Sequence, residues 1–450
     1  MNIEQVKEVY FLGIGGIGMS ALARFFKNRD CSVFGYDKTS TPLTLELEAE
    51  GMEIHYEEDV DLIPDGIDLV VYTPAVPKKQ TEYQFFLENG YPILKRSQVL
   101  GMISAEYKTI GIAGTHGKTT ISTLTAHLLQ QTPKGVNAFL GGISKNYQTN
   151  LLLSPKSEWI VVEADEFDRS FLHLFPQIAV ITSVDADHLD IYKNILSLKE
   201  SFTQFAGQIK PGGNLIIKKG ISFNVVQRPG LKIQTYSIDQ QADFCIQNLH
   251  IIKGHYVFDL KLGETVMKDV ELGQPGLFNV ENAIAASGAA WLAGATKEEI
   301  RQGLLSFSGV HRRFDMRINR EDLIYIDDYA HHPEELKACI NSVRHLYPDK
   351  KITGVFQPHL FSRTRDFADA FARSLELLDE VILLEIYPAR EQPIEGIDSQ
   401  MLLNKINKAS KYVCKNEELI DLLKTLKPEL LLTLGAGDID QFVKPIETSL

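Results

Sequence analysis

Apolar positions alternate along the chain between two rhythms. Runs at residues 9–14, 31–36 and 68–72 are short, nearly unbroken and rich in β-branched and aromatic side chains, which predicts buried strands. Residues 17–27 lie between the first two runs and carry apolar groups at helical spacing. The alternation resumes with a strand at 109–113, a helix at 118–130 and strands at about 159–163 and 178–183. Strands that alternate with helices predict parallel sheets covered on both faces. From 232 to 272 the pattern turns β-rich, with Gly254 and Gly263 at turn positions, and predicts an antiparallel edge on the central domain. Helical spacing returns at 279–293 and 297–305, and strands at 323–326, 351–356, 381–386 and 430–434 again alternate with helices.

The expected fold class is therefore α/β in three domains. These are an N-terminal Rossmann-like domain over 1–106, a central P-loop-type mononucleotide-binding domain with a β-rich edge over 107–309, and a C-terminal Rossmann-like domain over 310–450. A chain of 450 residues is too long for one ordinary core, in keeping with this division. No repeat of 20 to 50 residues is present.

Composition narrows the function classes. With 44% hydrophobic and 23% charged residues the chain reads as an ordinary globular protein, and a formal charge of −13 disfavours a broad nucleic-acid or anionic-membrane surface. Local cations do occur, at His311-Arg312-Arg313 and Arg363-Thr364-Arg365. The four cysteines have neither zinc-site nor disulfide-framework spacing, the first residues are too acidic for a secretory signal, and no apolar run approaches the roughly 20 residues of a membrane span. A reducing cytoplasm is the expected setting.

Two glycine-rich segments follow strands and open helices. Gly13-Ile14-Gly15-Gly16-Ile17-Gly18, with Asp37 after the next strand, has the form in which glycines admit a diphosphate to a helix N-terminus. A dinucleotide, any other diphosphate such as that of a UDP-sugar, and a purely structural tight turn all satisfy it. Gly114-Thr115-His116-Gly117-Lys118-Thr119-Thr120 has the working parts of a nucleotide-phosphate loop, although Ile112 stands where the strict motif has its first glycine. Backbone amides would cradle phosphates, Lys118 would offset their charge, and Thr119 could reach a metal. A chance strand-turn-helix with a solvated lysine is the alternative.

Carboxylates and histidines cluster where strands end. Glu163-Ala164-Asp165-Glu166 could hold magnesium or form a solvated acidic turn, and Asp185-Ala186-Asp187-His188 closes the next strand. Histidine is an unusual magnesium ligand, so chemistry alone leaves His188 open. In Asp327-Asp328-Tyr329-Ala330-His331-His332-Pro333 two adjacent histidines cannot easily aim at one point, so at least one should cap or pack. Arg363 and Arg365 could grip an anion or lie on a solvated face.

Taken in order, residues 13–20, 114–120, 163–166, Asp187-His188, Asn279, Asn282, 311–314, 327–333 and 356–366 resemble the Mur ligase family over nearly the whole chain. The resemblance implies an ATP-dependent ligase of peptidoglycan precursor synthesis whose N-terminal domain holds a UDP-sugar, whose central domain holds ATP, and whose C-terminal domain closes over both. The text at 356–366 is most similar to members that add L-alanine to UDP-N-acetylmuramate. Members that add a preformed tripeptide are the nearer alternative. A dinucleotide-dependent oxidoreductase, the alternative of another class, leaves the second loop and its acidic partners unexplained, and a non-catalytic nucleotide-gated module predicts no phosphate release with any substrate combination.

By resemblance, Gly114, Thr115, Gly117, Lys118, Thr119, Thr120, Asn279 and Asn282 bind ATP, while Thr119, Glu163 and His188 hold Mg2+ or Mn2+. Gly15, Gly16, Ile17, Gly18, Asp37, Arg313, Tyr329, His331 and Arg363 bind the two other substrates, with Tyr329 beside the amino-acid pocket. Lys118, His331 and Arg363 act in catalysis. Phe278 departs from the family, standing where a histidine commonly precedes the first asparagine, and Ala330 replaces a frequent glycine. A monomer or homodimer is expected.

Overall fold

The computed structural model describes residues 3–185, 189–252, 254–389 and 391–450, with Leu189 and Asp190 described by backbone alone. Three sheets follow one another along the chain. In the first, all parallel, the strands lie in the order Glu53–His55, Ser32–Tyr36, Glu8–Leu12, Leu69–Tyr72 and Ile93–Lys95. The central strand buries both faces. Val9 and Phe11 enter one core and Tyr10 and Leu12 another, which is why its sequence is apolar without a break.

Among the described residues the second sheet has ten strands. Lys108–Ala113 lies between Ile178–Ile181 and Trp159–Glu163, parallel to both. Asn137–Ser144 continues the parallel run beyond Trp159–Glu163, and Thr149–Leu152 closes that edge antiparallel. On the other side Asn214–Lys218 and then Lys232–Ser237 add parallel strands. The β-rich segment thus begins by prolonging the parallel sheet, and becomes hairpin-like only with Phe244–Ile252, His255–Leu262 and Thr265–Leu272. Gly254 and Gly263, at φ +85° and +61°, occupy the connections between these strands, as expected of turn glycines.

The third sheet runs Asp315–Asn319, Ile324–Asp328, Leu430–Leu434, Ile352–Phe356, Glu380–Leu383 and Lys411–Val413, parallel except for its first strand. Alternate residues again serve opposite cores: Ile324, Ile326 and Leu432 on one face, Tyr325, Leu431 and Val355 on the other. Helix starts are encoded locally. Thr296 with Glu299 and His332 with Glu335 form reciprocal caps, the latter with Pro333 in the first turn.

These sheets form two compact units. One comprises residues 1–250, 257–273 and 282–308, the other 251–256, 274–281 and 309–450. The first two sheets share the first unit because their cores are continuous. Phe25 of the helix Ile17–Lys27 meets Phe139 at 5.6 Å between ring centres. Arg24, buried in the same helix, takes Glu50 through paired bonds of 2.7 to 3.0 Å and Asn150 at 2.7 Å. Among the described residues no helix is long and apolar enough to cross a membrane.

Candidate active site

Lys108–Ala113 delivers the second glycine loop to the carboxyl edge of the central sheet, where open α/β sheets bind ligands. Gly114 has φ +131°, and a Cβ on it would lie 2.9 Å from the backbone nitrogens of Thr182 and Ser183, so only glycine fits. Gly117, at φ +81°, starts the helix Lys118–Gln130. The neighbouring strand end braces the loop. Ser183 Oγ lies 2.7 Å from Thr115 Oγ1 and accepts from the His116 amide at 3.0 Å, while Thr182 Oγ1 donates to the His116 carbonyl. Asn282 comes beside Gly117, whose added Cβ would lie 2.9 Å from its Oδ1. Thr119 and Thr120 are buried in the first helical turn.

Lys118 Nζ donates to the Gly114 carbonyl at 2.8 Å and pairs with the buried Glu166 carboxylate at 2.8 and 2.9 Å. Burial works against the charged ammonium, but Glu166, Asp165 and Glu163 outweigh it and hold its pKa above the ordinary value. The lysine is thus a fixed cation. Glu163 ends its strand against Gly141, where any Cβ would collide with the carboxylate. Among the described residues no three His, Cys, Asp or Glu side chains form a metal nest. One carboxylate beside a phosphate loop is nonetheless what a magnesium shared with substrate phosphates requires. His188 lies outside the described residues.

The first glycine turn is organised differently. Gly13, at φ +83°, donates to the Tyr36 carbonyl at 2.8 Å, and the Gly15 amide donates to Asp37 Oδ2 at 2.8 Å. Asp37 therefore holds the turn from within. Gly16 begins the helix Ile17–Lys27 without a side-chain cap, and the amides of Ile17 and Gly18 meet no acceptor among the described residues.

In the second unit, Asp327 and Asp328 end Ile324–Asp328. Asp328 accepts from the Phe314 and Ala330 amides at 2.7 Å each, and burial pushes its pKa up to about 7 against the pull of Arg313. Arg313 lies over the Tyr329 ring at 4.7 Å, and His331 meets that ring edge-on at 5.2 Å between centres. His331 Nδ1 lies 3.0 Å from the Tyr329 carbonyl. Donation there leaves Nε2 as the acceptor. Burial lowers the His331 pKa to about 4, with Arg363 and Arg313 adding to the effect and Glu335 opposing it, so the ring is neutral at neutral pH. Of the two adjacent histidines His332 is the capping one, accepting from the Glu334 amide at 3.4 Å. Arg363 stands in the first turn of Phe361–Leu375. Asn279 donates to the Pro275 carbonyl at 2.7 Å, and Phe278 packs edge-on to Phe314 at 5.5 Å.

Family models match in chain order: the Mur ligase family catalytic domain over 8–108, the Mur ligase middle domain over 112–290, and the Mur ligase glutamate ligase domain over 312–437. The chain belongs to the Mur ligase family. Among curated relatives of this family, the UDP-N-acetylmuramate--L-alanine ligase of Phocaeicola vulgatus is 52% identical over 99% of this chain and 98% of its own. That of Parabacteroides distasonis is 50% identical over 100% of this chain and 98% of its own. Among solved structures, the UDP-N-acetylmuramate-alanine ligase of Thermotoga maritima matches with a TM-score of 0.82 and 25% identity over 98% of each chain. A murein peptide ligase from Psychrobacter arcticus shares the fold, with a TM-score of 0.71 and 21% identity over 98% of each chain.

Three residues beside the two glycine turns carried no motif signal for their place there. Glu166 lay inside the recognised acidic run, but its pairing with Lys118 depends on strand order. Ser183 ended a predicted strand without a motif of its own. Arg96 follows Ile93–Lys95, a strand too short to predict, and its signal was a basic pair where a helix begins, against the helix dipole.

Proposed function

We propose that this protein is an ATP-dependent ligase that joins L-alanine to the lactyl carboxylate of UDP-N-acetylmuramate through an acyl phosphate, in the cytoplasmic synthesis of peptidoglycan precursors. The carrying observation is the buried Lys118, held as a cation on a braced phosphate loop beside Glu163. Full-length relatives at about half identity that bear this activity support it. In this reading residues 1–106 take the UDP-sugar, 107–309 take ATP, and 310–450 supply the groups that meet the carboxylate and the amine.

A carboxylate does not accept an amine at neutral pH, so an oxygen of the lactyl carboxylate first attacks the γ-phosphorus and ADP leaves. Lys118 and the loop amides offset the charge that develops on the phosphoryl oxygens. Thr119, Glu163 and His188 would hold Mg2+, which when bound would offset the negative charge of the ATP phosphates. The alanine amine then attacks the acyl carbonyl, a proton passes to an acceptor assigned to His331 Nε2, and the tetrahedral centre collapses with loss of phosphate. Arg313 and Arg363 orient carboxylates, Tyr329 borders the amino-acid pocket, and Asn279 and Asn282 are assigned to the nucleotide.

Phosphate release with ATP and UDP-N-acetylmuramate, measured against L-alanine, glycine, L-serine and a tripeptide, tests the assignment. Highest efficiency with L-alanine is expected. A preference for the tripeptide overturns the amino-acid assignment, and no release with any acceptor overturns the ligase reading.

A further inference from the structure

A cavity of about 260 Å³ in the first unit runs from Gly16 and Gly18 of the first glycine turn, past Thr73 and Arg96, to Gly141 and Glu163. Its one basic side chain among the described residues is Arg96, which no motif marked. We propose that Arg96 is a substrate-binding residue that closes over the diphosphate of the UDP-sugar on the first glycine turn. This rests on the reading of that turn as the diphosphate seat.

Three observations converge. The Ile17 and Gly18 amides open a helix with no side-chain cap, so they are available to an anion. A Cβ on Gly18 would come within 2.8 Å of Arg96 Nη1, 3.1 Å of Cδ and 3.2 Å of Cζ, so the guanidinium lies across the glycine, directly beside those amides. Among the described residues its ionic partner is Asp165, at 3.9 Å, beyond hydrogen-bond length. Its donors are thus held over the turn and little used. The side chain retains only 22% of its exposure.

Charge balance gives the reason for such a residue. A helix N-terminus offers roughly half a positive charge, whereas a diphosphate brings about two negative ones. The second glycine loop meets the same need with Lys118, but the first has no lysine. A planar guanidinium with paired N–H groups suits two adjacent phosphate oxygens better than a point charge would. The preceding residue is also anchored. Lys95 pairs with Asp168 at 2.8 Å, fixing the chain just before Arg96. Asp165 and Glu166 adjoin in sequence, so one acidic turn supplies counter-ions to the cations of both anion sites, Arg96 and Lys118.

Calorimetric titration of the full chain with UDP-N-acetylmuramate, UDP-N-acetylglucosamine and ATP tests this. Arg96→Ala should weaken both UDP-sugars by about 10- to 100-fold and by the same factor, with ATP affinity within about twofold of the original. Arg96→Lys, which keeps the charge and protects the fold, should lose about 3- to 10-fold. Unchanged affinity for both sugars in either variant overturns the proposal. So does a loss confined to UDP-N-acetylmuramate, which would move Arg96 to the lactyl carboxylate. Failure of the unaltered protein to bind any UDP-sugar would instead overturn the reading of the turn itself.

Discussion

The two glycine turns of the first unit share a plan and differ in where they keep their charge. Each follows a central parallel strand and opens a helix, at Ile17 and at Lys118. The first holds itself together with a carboxylate, Asp37 on the Gly15 amide, and has no cation of its own. The second carries Lys118 within the loop and is braced from outside by Thr182 and Ser183. An anion that is only held can be met by amides and a borrowed guanidinium, but a phosphoryl group in transfer needs a cation that stays in register with the loop. In the proposed reading the first turn therefore binds and the second carries the chemistry.

The sharpest way to break that division is Lys118→Ala. Turnover should fall by roughly 1000-fold or more, with the dissociation constant for UDP-N-acetylmuramate unchanged in direct titration; a matching loss of sugar binding would mean the turns do not act separately.

The helices behind the turns are anchored by different chemistry. The first uses the Arg24–Glu50 pair. The second uses His127, whose Nδ1 lies 2.7 Å from the Tyr147 hydroxyl and whose Nε2 lies 3.0 Å from Ser306 Oγ. Burial lowers the His127 pKa to about 4 from 6.5. The unfolded chain then binds a proton more readily than the folded one between these values. The stability that neutral His127 contributes is fully present above pH 6.5 and is lost as pH falls toward 4, by up to about 3 kcal/mol. Urea midpoints between pH 7.5 and 4.5 should show this slope, and His127→Gln should reduce it, leaving the part owed to the buried His331; an equal slope in both proteins would assign the acid sensitivity elsewhere.

Gly141→Ala probes Glu163 without altering it. The added methyl displaces the carboxylate and should reduce turnover by about 10- to 100-fold, with a higher magnesium requirement at saturating ATP. An unaltered magnesium titration would separate Glu163 from the metal.

The smallest expected effect comes from Glu166→Gln, which removes the hydrogen-bonded counter-ion of Lys118 until a phosphate arrives. The ligand-free protein should lose about 1 to 3 kcal/mol, and ATP should raise its melting temperature by more than it raises that of the original protein. Equal ATP-induced shifts would remove Glu166 from competition with the phosphates.

Legibility in the sequence followed local physics. The strands at 9–14, 109–113, 159–163 and 430–434 were visible because burial on both faces leaves long apolar runs. Asn137–Ser144 escaped because Gly141 and Gly142 interrupt it, and Gly141 proves to be a place where the chain must make room for Glu163. Asp315–Asn319 escaped because a polar edge strand gives no apolar run. Among the residues proposed for the site, Gly114, Gly117, Lys118 and His331 stood in motifs, whereas Arg96 did not.

The sequence by itself determined the strand–helix alternation and the two phosphate-type turns, because each rests on backbone conformations and spacings confined to a few consecutive residues. Tertiary structure alone decided which charged side chain lies beside which turn. Lys118 meets Glu166 across 48 residues, Gly18 lies beneath Arg96, and Gly141 yields to Glu163. Those meetings follow from sheets whose strand order departs from chain order, and spacing along a chain carries no record of which strand ends become neighbours.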